Sequence, residues 1–209
     1  TLWIGTKGGG IVRINNYSPD KKSLTSFNRI SAANSTLTDN AVYCFAPSTT
    51  GKLWIGTENG INYYSYKSKQ LKEFPVVADN KKVKYVHSIN ELNDTTLWVS
   101  TVGEGIVKVI LNNTGSSPAV KSATRIVLDK GRMASNYFFT SFQESDSILW
   151  FGNRGYGAYR LNVETGEMTP YKFDDVVKSQ TANDIFAIYK NEKGYWLGTS
   201  SGLLHLNQN

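Results

Sequence analysis

Few groups in this chain could do chemistry. His87 and His205 are the only histidines and Cys44 is the only cysteine. A metal cluster needs three or four suitable ligands converging, so this inventory argues against a metal, a cysteine-held zinc or any disulfide within the chain. No cofactor is expected. GTKGGGIVR at 5–13 and GNRGYG at 152–157 are glycine-rich. The first lacks the Gly-Lys-[Ser/Thr] that would hold phosphate and magnesium, and no helical pattern follows the second to aim an N-terminus at a pyrophosphate. Glycosidic cleavage asks for two carboxylates facing one cavity. Asp39 and Asp184 stand near suitable positions but in no repeating or paired arrangement.

Binding chemistry is denser than catalytic chemistry. Lys81, Lys82, Lys84, Arg132 and Arg154 lie close in sequence to Tyr85, Tyr137 and Tyr156. Tyrosine faces stack on sugar rings, while Arg and Lys pair with uronate or sulfate groups. The candidate ligand-binding residues are therefore Lys82, Lys84, Tyr85, Arg132, Asn136, Tyr137, Arg154 and Tyr156. The competing reading of each is a solvated loop residue. His87 fills a slot held elsewhere by Tyr43, Phe139 and Phe186, which reads as core or blade interface, and His205 reads as blade surface.

The elements that must position these groups repeat. LWIGTKGGGIVRI at 2–14 returns as LWIGTENGINYY at 53–64, LWVSTVGEGIVKV at 97–109, LWFGNRGYGAYRL at 149–161 and YWLGTSSGLLHL at 195–206. Trp3, Trp54, Trp98, Trp150 and Trp196 mark the period, which signals a solenoid, propeller or array. Each tryptophan run leads to a turn closed by glycine (Gly10, Gly60, Gly105, Gly157, Gly202), the residue a hairpin needs where φ is positive. Alternating runs precede the later tryptophans from Asn40, Lys84, Asn136 and Asn183, and further runs follow near 24–27, 71–76, 123–128 and 168–173. Nothing shows sustained helical periodicity.

Four short antiparallel strands per repeat, here A to D with the tryptophan on B, predict an all-β fold: a section of a β-propeller with four-stranded blades. The blades are expected at 1–30 (strand A missing), 31–78, 79–128, 129–174 and 175–209 (strand D missing). The tryptophans are expected to pack between neighbouring blades. Strand counts of three, four, four, four and three do not close a ring, so the chain reads as a section of a longer propeller. Its uncovered end blades would favour a homo-oligomer or contacts with the remaining blades.

The 209 residues carry a formal charge of +6. The face made of D–A and B–C loops balances, with Lys7, Lys81, Lys82, Lys84, Lys130, Arg132, Arg154 and Lys178 against Asp39, Glu58, Asp79, Glu104, Asp129, Asp174, Asp175 and Asp184. Nucleic-acid binding needs an uncompensated basic stripe and is not expected. No run approaches the ~18 apolar residues of a membrane span, and no signal-peptide pattern is visible at the N-terminus.

NAVYCFAPSTTGKLWIGTENGINYYS, with its Asn-x-[Val/Ile/Phe], Leu-Trp-Ile-Gly-Thr and tyrosine-rich strand, resembles the two-component regulator propeller repeat, and the resemblance runs through all copies. Blade 3 departs most, with Lys84 for the Asn and Ser100 for the Gly. The resemblance implies a seven-bladed propeller in the periplasmic part of a sensor histidine kinase anchored in the inner membrane. It implies signal transduction in a hybrid two-component system of Bacteroidetes type, with an oligosaccharide as ligand and the kinase portions as partners. On that reading the section is not an enzyme and makes no membrane contact. The alternatives are a propeller glycosidase or polysaccharide lyase, and a purely structural protein-interaction propeller.

Overall fold

The computed structural model describes residues 1–15, 27–112, 117–128, 135–173 and 180–207. It is an all-β propeller section. Blade 1 holds β1 (Leu2–Gly5), β2 (Ile11–Ile14) and β3 (Phe27–Ile30); blade 2 holds β4 (Val42–Pro47), β5 (Lys52–Thr57), β6 (Gly60–Ser65) and β7 (Gln70–Phe74). A small hairpin, β8 (Val77–Ala78) and β9 (Lys81–Lys82), then precedes blade 3, made of β10 (Val86–Asn93), β11 (Thr96–Thr101), β12 (Ile106–Asn112) and β13 (Ala119–Ile126). Blade 4 is β14 (Phe138–Gln143), β15 (Ile148–Asn153), β16 (Ala158–Asn162) and β17 (Met168–Tyr171). A 3₁₀ turn at Gln180–Asn183 leads into blade 5, with β18 (Ile185–Asn191), β19 (Gly194–Thr199) and β20 (Gly202–Asn207). Each blade is an antiparallel meander in chain order.

In blade 1 the described outer strand is Phe27–Ile30, with Ile30 paired to Ile11 beside the turn; of the run expected near 24–27, residues 24–26 lie outside the described residues. One element departs from the sequence expectation. The β8–β9 hairpin had no repeat signature. Its loop, Asp79-Asn80, has φ of 52° and 60°, the double positive φ of a tight two-residue hairpin that Asp and Asn tolerate.

Packing explains why tryptophan and glycine recur. Trp3 contacts Tyr64 of the next blade at 4.8 Å between ring centroids, Trp98 contacts Phe151 at 6.1 Å and Trp150 contacts Tyr195 at 5.3 Å. Trp54 is buried in one cluster with Val86, Leu97 and Val109 of blade 3. Trp196 instead stacks on His205 of its own blade, at 4.1 Å. The inner strands β4, β10, β14 and β18 contact one another in succession. The glycine two residues after the tryptophan makes that approach possible. A Cβ on Gly56 would lie 2.7 Å from the Val86 carbonyl, and one on Gly152 would lie 2.6 Å from that of Ile185. Blade 3 carries Ser100 there, buried with its hydroxyl unpaired.

Candidate functional site

The asparagines that open the inner strands turn out to be latches between blades. The Asn40 carbonyl accepts the N–H groups of Gly8 and Gly10, that of Asn136 accepts those of Gly103 and Gly105, and that of Asn183 accepts that of Gly157. Each side-chain oxygen accepts a second backbone N–H just beyond the preceding blade's outer strand: Ala32 at 2.8 Å, Leu128 at 2.8 Å and Phe173 at 2.7 Å. Asn136 thus commits its amide oxygen to the fold, even though it borders a cavity. Blade 3 has Lys84 in this slot, and its junction is made differently. The Tyr85 N–H donates to the Glu58 carbonyl at 2.7 Å, and the β8–β9 hairpin, closed by Val83 N–H to the Val76 carbonyl, buries Val76, Ala78 and Val83.

That substitute hairpin builds the candidate site. It carries Lys81 to the rim of a cavity of about 250 Å³ lined also by Gly103, Glu104, Arg125, Val127 and Asn136. Arg125, on β13, has its side chain only 9% exposed. Its Nη1 donates to Glu104 Oε2 at 2.9 Å and to the Glu104 carbonyl at 3.1 Å, while Nε lies 3.8 Å from Asp79. Its Nη2 is buried with no hydrogen-bond partner. A buried guanidinium N–H without an acceptor is costly, and an incoming carboxylate or sulfate oxygen is its natural complement. Tyr137 borders Gly103 of the cavity wall and is 40% exposed, with the Arg154 guanidinium 5.8 Å above its ring. An exposed tyrosine face, a free-ended arginine and a buried one are thus grouped across blades 3 and 4.

The sequence-derived candidates divide. Tyr137 and Arg154 meet at this rim. Tyr85 is exposed with φ of 51°, a strained conformation for a tyrosine, and its main chain ties β10 to the turns at Glu58 and Val102. Lys82 pairs with Glu73 at 3.1 Å, and Lys84 is half-buried with its N–H directed at Glu104. Tyr156 is half-buried and packs against the core between blades 3 and 4. Arg132 lies outside the described residues, as do Asp129, Lys130, Asp174, Asp175 and Lys178. Sequence reasoning missed Arg125, which sits in an ordinary strand run and gave no signal. Among the described residues no group of three or more His, Cys, Asp or Glu side chains could hold a metal ion.

Comparison with known proteins agrees with the architecture. Residues 36–59, the start of blade 2, match the two component regulator propeller family. The fold is similar to the extracellular domain of BT4673, a candidate hybrid two component system protein of B. thetaiotaomicron, with 20% identity and a TM-score of 0.77 over 98% of this chain. It is also similar to the extracellular domain of BT3049 from the same organism, with 21% identity and a TM-score of 0.68 over 99% of this chain. YCF48 from Cyanidioschyzon merolae aligns over 96% of this chain and 64% of its own, with 10% identity and a TM-score of 0.60. This chain spans 28% and 27% of the lengths of the two B. thetaiotaomicron domains. No curated protein matches the sequence. No helix among the described residues is long and apolar enough to cross a membrane.

Proposed function

We propose that this propeller section belongs to the extracytoplasmic sensor of a two-component system, that it binds an oligosaccharide on the D–A and B–C face of blades 3 and 4, and that binding is passed to a histidine kinase outside this chain. The observation that carries the reading is the cavity at Arg125, with its unpaired buried N–H, opening beside the Tyr137–Arg154 rim. An acidic sugar unit satisfies both parts: its carboxylate or sulfate meets guanidinium, and its ring lies on tyrosine. The match to the two component regulator propeller family at residues 36–59 supports the sensor role. In this reading the propeller binds and does not turn over its ligand.

The test is a glycan array on the protein, followed by calorimetry with the best acidic oligosaccharide. Arg154→Ala and Tyr137→Ala should each weaken binding by about 1–3 kcal/mol, the range for a lost charged hydrogen bond or stacking contact. Unchanged affinity in both variants removes this site. Cleavage of the bound glycan by the purified protein would establish the enzyme alternative instead.

A further inference from the structure

A second feature recurs on the inner strands. In each of the four described A–B ladders the register slips at the same place, and the β10–β11 ladder slips a second time between Glu91 and Asn93. Val42 pairs with Thr57 and Cys44 with Gly56, skipping Tyr43; Val86 pairs with Thr101 and Ser88 with Ser100, skipping His87. Likewise Phe138 and Thr140 flank an unpaired Phe139, and Ile185 and Ala187 flank an unpaired Phe186. A β-bulge leaves its extra residue outside the ladder and re-aims its side chain. Here four bulges turn four rings toward one another across three blade junctions. Tyr43 stacks on His87 at 4.1 Å and 17°, His87 meets Phe139 edge-on at 5.5 Å, and Phe139 meets Phe186 at 4.8 Å.

None of the four rings belongs to the buried clusters that hold the blades together. Three are half-buried and Phe186 is 47% exposed. Polar acceptors stand at both ends. Tyr43 Oη donates to Glu58 Oε2 at 3.0 Å, and Ser200 Oγ donates to Asp184 Oδ2 at 3.0 Å. Aromatic faces offer apolar contact to the C–H face of a sugar ring, and carboxylates accept its hydroxyls. The carboxylates of Glu58 and Asp184 near the two ends of the arc oppose an anionic sugar unit there.

We propose that the arc of Tyr43, His87, Phe139 and Phe186 is a stacking wall at the mouth of the propeller channel that binds a neutral saccharide segment. This site rests on the saccharide-binding reading above but not on the cavity at Arg125. Burial lowers the His87 pKa, so the imidazole joins the wall as an uncharged ring at neutral pH.

The experiment measures calorimetric binding of the protein to neutral cello-, manno-, xylo- and malto-hexaose beside an acidic galacturonate hexamer. At least one neutral hexamer should bind. Phe139→Ala and Phe186→Ala should each raise its Kd about tenfold or more, whereas Phe139→Tyr retains binding. Phe186 is exposed enough that its truncation leaves the fold intact, which circular dichroism and a thermal melt verify. Failure of every neutral hexamer to bind, or equal affinity in Phe186→Ala, overturns the wall. Binding of the acidic hexamer alone, lost in Arg154→Ala, overturns the wall while sustaining the blade 3 and 4 site. Neutral binding lost in Phe186→Ala, with no binding of the acidic hexamer, sustains the wall and overturns the acidic reading of the blade 3 and 4 site.

Discussion

The amide oxygen of Asn136 accepts the backbone N–H of Leu128 at 2.8 Å while its own carbonyl takes the N–H groups of Gly103 and Gly105. One residue thereby ties the first strand of blade 4 to both the hairpin and the outer strand of blade 3. Propeller blades have no covalent link other than these short connections, so nearest-neighbour contacts of this kind set the stability of the array.

The buried latch is Asn183, whose side chain accepts the Phe173 N–H at 2.7 Å. Asn183→Ala should cost about 1–3 kcal/mol in urea unfolding, because a buried N–H is left without an acceptor. Lys84→Ala, at the junction without a latch, should change stability by only about 0.5 kcal/mol. Equal losses in the two variants would mean that the slot, not the amide, carries the effect.

Gly56 offers a steric test of blade spacing. A Cβ there would stand 2.4 Å from the Cys44 sulfur and 2.7 Å from the Val86 carbonyl, with no room on either side. Gly56→Ala should destabilise by about 1–3 kcal/mol, the usual cost of overpacking a filled core. Gly198→Ala is the internal control. Its nearest neighbour would be the Ala187 Cβ at 3.3 Å, so its melting point should fall less.

These contrasts show what was readable in advance. The five tryptophans and the hairpin glycines announce the blades because each copy meets the same packing demand, and the demand fixes residue type. The shared asparagine was visible, but its partners were not, since they belong to the preceding blade. The slot of Tyr43, His87, Phe139 and Phe186 was legible as aromatic. Its bulge was not, because a register slip depends on how two strands pair and leaves no mark on composition. Arg125 was illegible for a similar reason. Its environment is made by the β8–β9 hairpin and by Glu104, neither adjacent in sequence. Lys82 and Tyr156 were legible as candidate ligands, but their neighbours were not: Lys82 pairs with Glu73, and Tyr156 packs against the core between blades 3 and 4.

Cys44 should be chemically silent. Burial drives its thiol pKa up to about 12, well outside the range where thiolate forms at neutral pH. A native sample at pH 8 treated with a disulfide reagent should show no released chromophore until denaturant is added. Rapid labelling without denaturant would mean that the blade 2 and 3 junction opens readily.

The blade 4 and 5 junction carries a charged hub whose pH dependence can be worked out. Glu144 accepts Trp150 Nε1 at 2.7 Å and Lys190 Nζ at 2.9 Å, with Arg160 Nε 3.8 Å away. Burial alone would raise the Glu144 pKa. Hydrogen bonds from Tyr195, Lys190 and Trp150, together with the Lys190 charge, outweigh it and hold the carboxyl at about 2. The folded state therefore keeps this carboxylate ionised below the pH at which an unfolded glutamate takes up its proton. Its stabilising contribution is complete above the ordinary value of 4.5 and is lost as pH falls from there toward about 2. Lys190 responds from the other side. The hydrogen bond to Glu144, then that to Tyr195, raises its pKa, so its contribution is complete below the ordinary 10.5 and is lost as pH rises beyond it. Glu144→Gln should lower the melting temperature at pH 7, and the gap to the parent protein should shrink between pH 4.5 and pH 2 and again above pH 10.5. A gap that stays constant across that range would show that the variant acts through packing against Trp150, not through the charge it removes.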